Sequence, residues 1–113
     1  MSTLNNKVQL IGNLGAAPEV KTTENGKTMA TISIATTDRY KDSNGEKQEN
    51  TQWHRVVAWG KTAEIAEKYL KKGSRIAIEG RLNNRSYDDK NGEKKYITEV
   101  VATELLMLDP KAE

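Results

Sequence analysis

Thr51-Gln52-Trp53-His54-Arg55-Val56-Val57-Ala58-Trp59, then a glycine, then Lys61–Lys72, is the stretch that decides the fold. In its first nine residues the side chains alternate. Val56 and Ala58 point one way, with His54 in their phase, while Trp53, Arg55, Val57 and Trp59 point the other. Period two is the pattern of a strand with one face in a core. The period then changes. Ala63, Ile65, Ala66, Tyr69 and Leu70 recur at helical spacing, and Glu64 precedes Lys68 by four residues in the favourable order. Gly73 is a natural stop for that helix.

Alternation continues on both sides of this strand and helix. Val8, Leu10, Gly12 and Leu14 share a face of a first strand, and Ile32 and Ile34 share a face of a second, near Met29–Thr36. Beyond the helix, Arg75–Tyr87 carries Ile76, Ile78 and Leu82 on one face and Arg81, Asn83, Arg85 and Tyr87 on the other. A last strand covers about Lys95–Leu108. Asn25-Gly26, Asn44-Gly45 and Asn91-Gly92 stand between such runs, and Asn-Gly suits a type I′ hairpin turn. The order β-β-β-α-β-β predicts an all-β protein: an OB-fold, a five-stranded Greek-key barrel with one helix between strands 3 and 4.

Length and composition narrow the function. A chain of 113 residues suits one domain spanning 1–113, with its core at about 5–108. Without cysteine there is no disulfide scaffold, thiol nucleophile or Cys-ligated zinc. The N-terminus lacks the pattern of a signal peptide, and no apolar run approaches the length of a membrane span. A soluble, cytoplasmic protein with no membrane partner is expected. Net charge is only +2, but Arg39–Arg85 holds eleven Lys/Arg against six Asp/Glu, leaving the flanks net negative. A basic middle is compatible with a polyanion partner and equally with ordinary surface charge.

The third strand carries the chemistry. If Val56 and Ala58 enter the core, Trp53, Arg55 and Trp59 face outward, and the fourth strand repeats the pattern with Arg81, Arg85 and Tyr87. Tyr40 stands between Arg39 and Lys41. Rings interleaved with cations suit single-stranded nucleic acid, because bases stack on the rings while the cations neutralise phosphates. Any one ring could equally be a half-buried core residue; Tyr69, on the apolar side of the helix, and Tyr96, with no basic platform, are read that way. Asp38–Asn50 and Asp88–Lys94 read as long polar hairpin connections, either solvated loops or fingers that fold over a ligand. A Trp-Arg face also suits a protein-interaction module.

Other motifs fail on inspection. Gly60-Lys61-Thr62 lacks the preceding glycine of a phosphate loop, since Arg55 stands there. Asp88–Gly92 resembles a calcium loop, but Tyr87 occupies the first ligand position. Asn84-Arg85-Ser86 is only a formal glycosylation sequon. A lone His54 makes no metal site and is read as a packed or interface residue. No catalytic constellation emerges, so the expectation is a binding protein, not an enzyme, with no cofactor and no metal.

The chain closely resembles the DNA-binding domain of the bacterial single-stranded DNA-binding protein (SSB) family, over about Asn6 to Leu108. The resemblance rests on Asn6-Lys7-Val8, Gly12-Asn13-Leu14-Gly15, Pro18-Glu19-Val20, Thr51–Val57, Tyr69-Leu70-Lys71-Lys72-Gly73-Ser74 and Ile78-Glu79-Gly80-Arg81-Leu82. It implies base stacking on Tyr40, Trp53, Trp59 and Tyr87. It also implies phosphate contacts at Lys7, Arg55, Lys61, Lys71, Lys72 and Arg85. It further implies a homotetramer with His54 at a subunit interface, and a nucleoid-associated role in DNA replication, recombination and repair. Tyr40 and Tyr87 replace the family's common Trp, Trp59 replaces Phe, and Ala17 replaces a turn Asp. This sequence does not run on after Leu108 into the family's Gly/Pro/Gln-rich linker and acidic tail, so the expectation is a chain without that tail and with recruitment of replication and repair enzymes in doubt.

Overall fold

Inward alternation of β-branched and small residues on successive strands builds a closed barrel. The computed structural model describes residues 4–108; the chain end discussed above, from Asp109 on, lies outside them. The elements are β1 (Val8–Leu14), β2 (Glu19–Thr22), β3 (Thr28–Lys41), β4 (Lys47–Trp59), α1 (Lys61–Tyr69), β5 (Arg75–Asp88) and β6 (Lys94–Met107). Pairing runs β1-β5-β6-β4-β3 and closes by a short β1–β3 contact, Asn13 with Ala35 and Leu14 with Ile34. All contacts are antiparallel except β4–β6, where Val56 and Val57 meet Val100 and Val101 in parallel. The unexpected β2 is a four-residue strand outside the ring, held on the edge of β3 by the Asn25-Gly26 hairpin.

The core is the set of inward positions: Leu14, Ala30, Ile32, Ile34, Val56, Ala58, Ile76, Ile78, Val100 and Ala102. Each buried isoleucine contributes about 1.5–3 kcal/mol relative to exposure. Helix α1 closes the barrel with Ala63 and Ala66, and Leu70 follows them inward. The side of α1 that faces inward is set by Ala63, Ala66 and Leu70, and Tyr69 lies about a quarter turn off it, which corrects the reading of Tyr69: its ring is exposed, beneath the Lys68 ammonium. Ile65 is exposed for the same reason. The helix ends at Tyr69, ahead of Gly73. That glycine instead serves the following turn at φ +89°.

Two strand pairs outrun the barrel. Beyond Ala35 and Trp53, β3 and β4 pair only with each other, out to Lys41 and Lys47. Beyond Gly80 and Val100, β5 and β6 do the same, out to Asp88 and Lys94. The segment Asp38–Asn50 read as a polar connection is therefore mostly strand, with its turn between Lys41 and Lys47, whereas Asp88–Lys94 is a hairpin connection as read, with only its end residues in β5 and β6. Leu82 keeps the inward phase but is exposed, because β5 has left β1 at Gly80 and no core lies over it.

All three Asn-Gly hairpins turn alike, and not as type I′. Only the glycines have positive φ, near +80°, while each asparagine stays in the ordinary region. In the second turn, the Gly45 N–H donates to the Asp42 carbonyl and the Asp42 N–H to that of Glu46. This is a type I turn followed by a left-handed glycine. The Asp42 carboxylate decides the choice, accepting from the Asn44 and Glu46 N–H groups at 2.9 Å. The Glu46 hydrogen bond is the main cause that holds this carboxyl below its ordinary range. Asp89 repeats the arrangement with Asn91 and Glu93. The turn signal was legible; its type depended on a side chain two residues earlier.

Candidate nucleic-acid interface

Strand parity places the rings. In β4 the odd positions Trp53, Arg55, Val57 and Trp59 face outward, with Ala35, Ser33, Thr31 and Met29 of β3 beside them. In β5 the outward set is Glu79, Arg81, Asn83, Arg85 and Tyr87, paired with Glu99, Ile97 and Lys95 of β6 at its far end. Trp53, Arg55, Arg85 and Tyr87 therefore share one continuous face across three strands. Trp53 is 63% exposed and Tyr87 48%. Val57 shares this phase yet is buried, because the neighbouring β6 strand brings Val101 beside it.

Tyr40 does not join them. It pairs with Gln48 and has the parity of Ile34 and His54, so its exposed ring lies on the reverse side of the β3–β4 ribbon. Trp59 keeps the front phase at the far end of β4, roughly 20 Å from Trp53, and Lys61 follows it as the first residue of α1.

Gly15 seats the Trp53 ring. A Cβ at this position would lie 2.5 Å from the indole, so only glycine lets the ring lie against the chain after β1. The same segment meets the turn carrying Lys71 and Lys72: the Gly73 N–H donates to the Leu14 carbonyl, and the Leu14 N–H donates to that of Ser74. These two exposed lysines thus flank the chain on which Trp53 rests. Lys7 lies at the barrel end of the outward β5 row, its ammonium 2.7 Å from Glu79, which raises its pKa.

The sequence reading missed Glu99. This carboxylate is 6% exposed and sits at the centre of the face. It accepts from the Arg55 Nε at 3.2 Å, the Arg85 Nε at 3.1 Å and the Asn83 amide at 3.4 Å. Burial alone would raise its pKa, but the hydrogen bonds from Arg55, Arg85 and Asn83 outweigh burial and hold it below the ordinary 4.5. Both arginines use their inner Nε toward Glu99, so the carboxylate fixes them between Trp53 and Tyr87. An acidic residue in outward phase, flanked by Ile97 and Val101, was the available signal.

His54 is half-buried on the inward phase, its Nε2 2.8 Å from the Thr36 hydroxyl. Tyr96, read as a core ring, is instead 75% exposed. Among the described residues there is no cluster of His, Asp and Glu fit to hold a metal, and no helix is long and apolar enough to cross a membrane.

Five strands closed in this order, with one helix between the third and fourth barrel strands, define an OB-fold. The chain belongs to the single-strand binding protein family, whose model it matches over residues 5–108. It is 53% identical over 107 residues to single-stranded DNA-binding protein 1 of Chlorobaculum tepidum, covering 94% of this chain and 66% of that relative. To single-stranded DNA-binding protein 1 of Xylella fastidiosa it is 51% identical, covering 94% of this chain and 79% of the relative. Among solved structures it is similar to Plasmodium falciparum SSB in complex with ssDNA. The TM-score is 0.83 and the identity 35%, over 92% of this chain and 95% of the other. A deletion mutant of the single-stranded DNA binding protein from Thermus aquaticus gives a TM-score of 0.79 at 36% identity, over 92% of this chain and 50% of the other.

Proposed function

We propose that the chain binds single-stranded DNA without regard to base sequence, protecting and organising it during replication, recombination and repair. One observation carries the reading: Trp53, Arg55, Arg85 and Tyr87 form one exposed face, with Glu99 pinning both guanidiniums between the rings. Bases stack on Trp53 and Tyr87, with Trp59 and Tyr40 as further platforms. Arg55, Arg85, Lys61, Lys71 and Lys72 neutralise phosphates, and Lys7 joins them once Glu79 releases it. Stacking needs an unpaired base face, so duplex is a poor ligand. The work is binding rather than catalysis, and family membership supports that. A homotetramer with His54 at a subunit contact completes the proposal.

Tryptophan fluorescence during titration with oligo-dT, at low and high salt, tests the reading. Strong quenching that weakens with salt is expected, by roughly 0.7 in log–log slope per phosphate neutralised. Trp53→Ala should weaken binding by about 1–3 kcal/mol at any base composition. An unquenched signal at low salt would sink the proposal and direct attention to a protein partner for the same face.

A further inference from the structure

The β5–β6 ribbon carries an exposed ring on each side. Tyr87 pairs with Lys95 on the face described above, and one step along the ribbon Tyr96 pairs with Ser86 on the reverse face. Ser86 is too small to cover the Tyr96 ring. No third strand flanks this part of the ribbon, so both of its edges are open. We infer that Tyr96 and Lys94 form a second single-stranded DNA contact on the reverse face of the β5–β6 ribbon, reached by a strand that stacks on Tyr87 and passes round the ribbon. This inference rests on the proposed DNA-binding reading and extends its path.

Charge selects the occupant. Lys95, on the Tyr87 side, lies 3.4 Å from Glu93 and 4.0 Å from Asp89, so its charge is already met. Lys94 makes no ion pair among the described residues, and its ammonium stands 5.9 Å from the centre of the Tyr96 ring. A ring with a cation over one of its faces, held in no ion pair although Asp88 stands opposite Lys94 in register, offers a stacking surface on its other face and a phosphate contact together. A protein partner would need a far larger complementary patch. This face of the ribbon is otherwise polar, with Asn84, Thr98, Ser86 and Asp88 around the ring and Leu82 further down. The β3–β4 ribbon has the same plan, with Trp53 in front and Tyr40 behind.

The test uses two oligo-dT lengths, about 5 and about 16 nucleotides, which bracket the sites of single OB-folds. Tyr96→Ala should leave the short oligonucleotide's affinity unchanged and lower that of the long one about five-fold or more. Tyr96→Phe should behave as the parent, since the ring and not the hydroxyl is used. Lys94→Ala should reduce the salt slope by about 0.7 for the long oligonucleotide alone. Unchanged affinity at both lengths, or equal loss at both, overturns the inference. So does a change in sedimentation of Tyr96→Ala without DNA, which would assign the ring to contact between copies. Tyr87→Ala and Trp53→Ala serve as controls: if they too leave the short oligonucleotide unaffected, the primary reading fails, and not only its extension.

Discussion

The barrel and the two ribbons are made from the same strands and answer to different rules. Inside the barrel, Ile32, Ile34, Ile76 and Val56 have no exposed surface, and each strand has neighbours on both edges. Past Ala35 and past Gly80 the same chains continue as isolated pairs without a core. Exposed rings and paired charges replace buried aliphatic side chains. The barrel therefore supplies the stability, and the ribbons, whose open pairs add little of it, are free to vary toward a ligand. Glu99 stands at the junction, a buried carboxylate serving cations that reach outward.

That division can be broken most severely from the barrel. Ile34→Ala should cost about 2–5 kcal/mol in urea unfolding, and any loss of DNA binding should follow the unfolded fraction. Equal damage from a ribbon substitution such as Tyr87→Ala would refute the contrast. Glu99→Ala comes next, at about 2 kcal/mol, moderated because both guanidiniums are partly exposed and can rehydrate. Its contribution has a defined pH window. The folded carboxyl is held below 4.5, so the stabilisation is fully present above that value and is lost as pH falls through the lower folded pKa. Glu99→Gln should begin less stable at neutral pH and show a shallower acid limb; an unchanged limb would place the acid sensitivity elsewhere. Gly15→Ala is the smallest and the most discriminating. The added methyl displaces the Trp53 ring, which is free to swing outward. Stability should stay within about 1 kcal/mol, while oligo-dT affinity falls several-fold; the reverse pattern would make Gly15 a barrel residue.

The strands and helix of the barrel were legible because burial on one face imposes period two and a short helix imposes its own spacing. Trp53, Arg55, Arg85 and Tyr87 were legible for the same reason, being the complement of the buried set. What sequence did not reveal is what depends on where neighbours stop. Leu82 has core phase and no core, and Tyr69 has helical spacing but lies off the side that α1 buries. The end of the β3–β4 ribbon looked like a loop because a strand pair without a core has no apolar face to alternate, whereas the β5–β6 ribbon was legible as strand. Tyr40 was grouped with Trp53 by composition, and only the register between β3 and β4 separates them. Glu99 lay hidden because its meaning comes from two arginines on other strands.

That register leaves the ligand path one codon from rearrangement. Tyr40 lies six positions beyond Ile34, an even offset that sends the ring to the reverse side. A single inserted residue between Thr36 and Arg39, taken up as a one-step slip against β4 rather than as a bulge, would pair Tyr40 with Lys47 on the Trp53 side and leave the barrel untouched. Related chains could thus exchange a wrapped strand for a straight one without any selection acting on their cores.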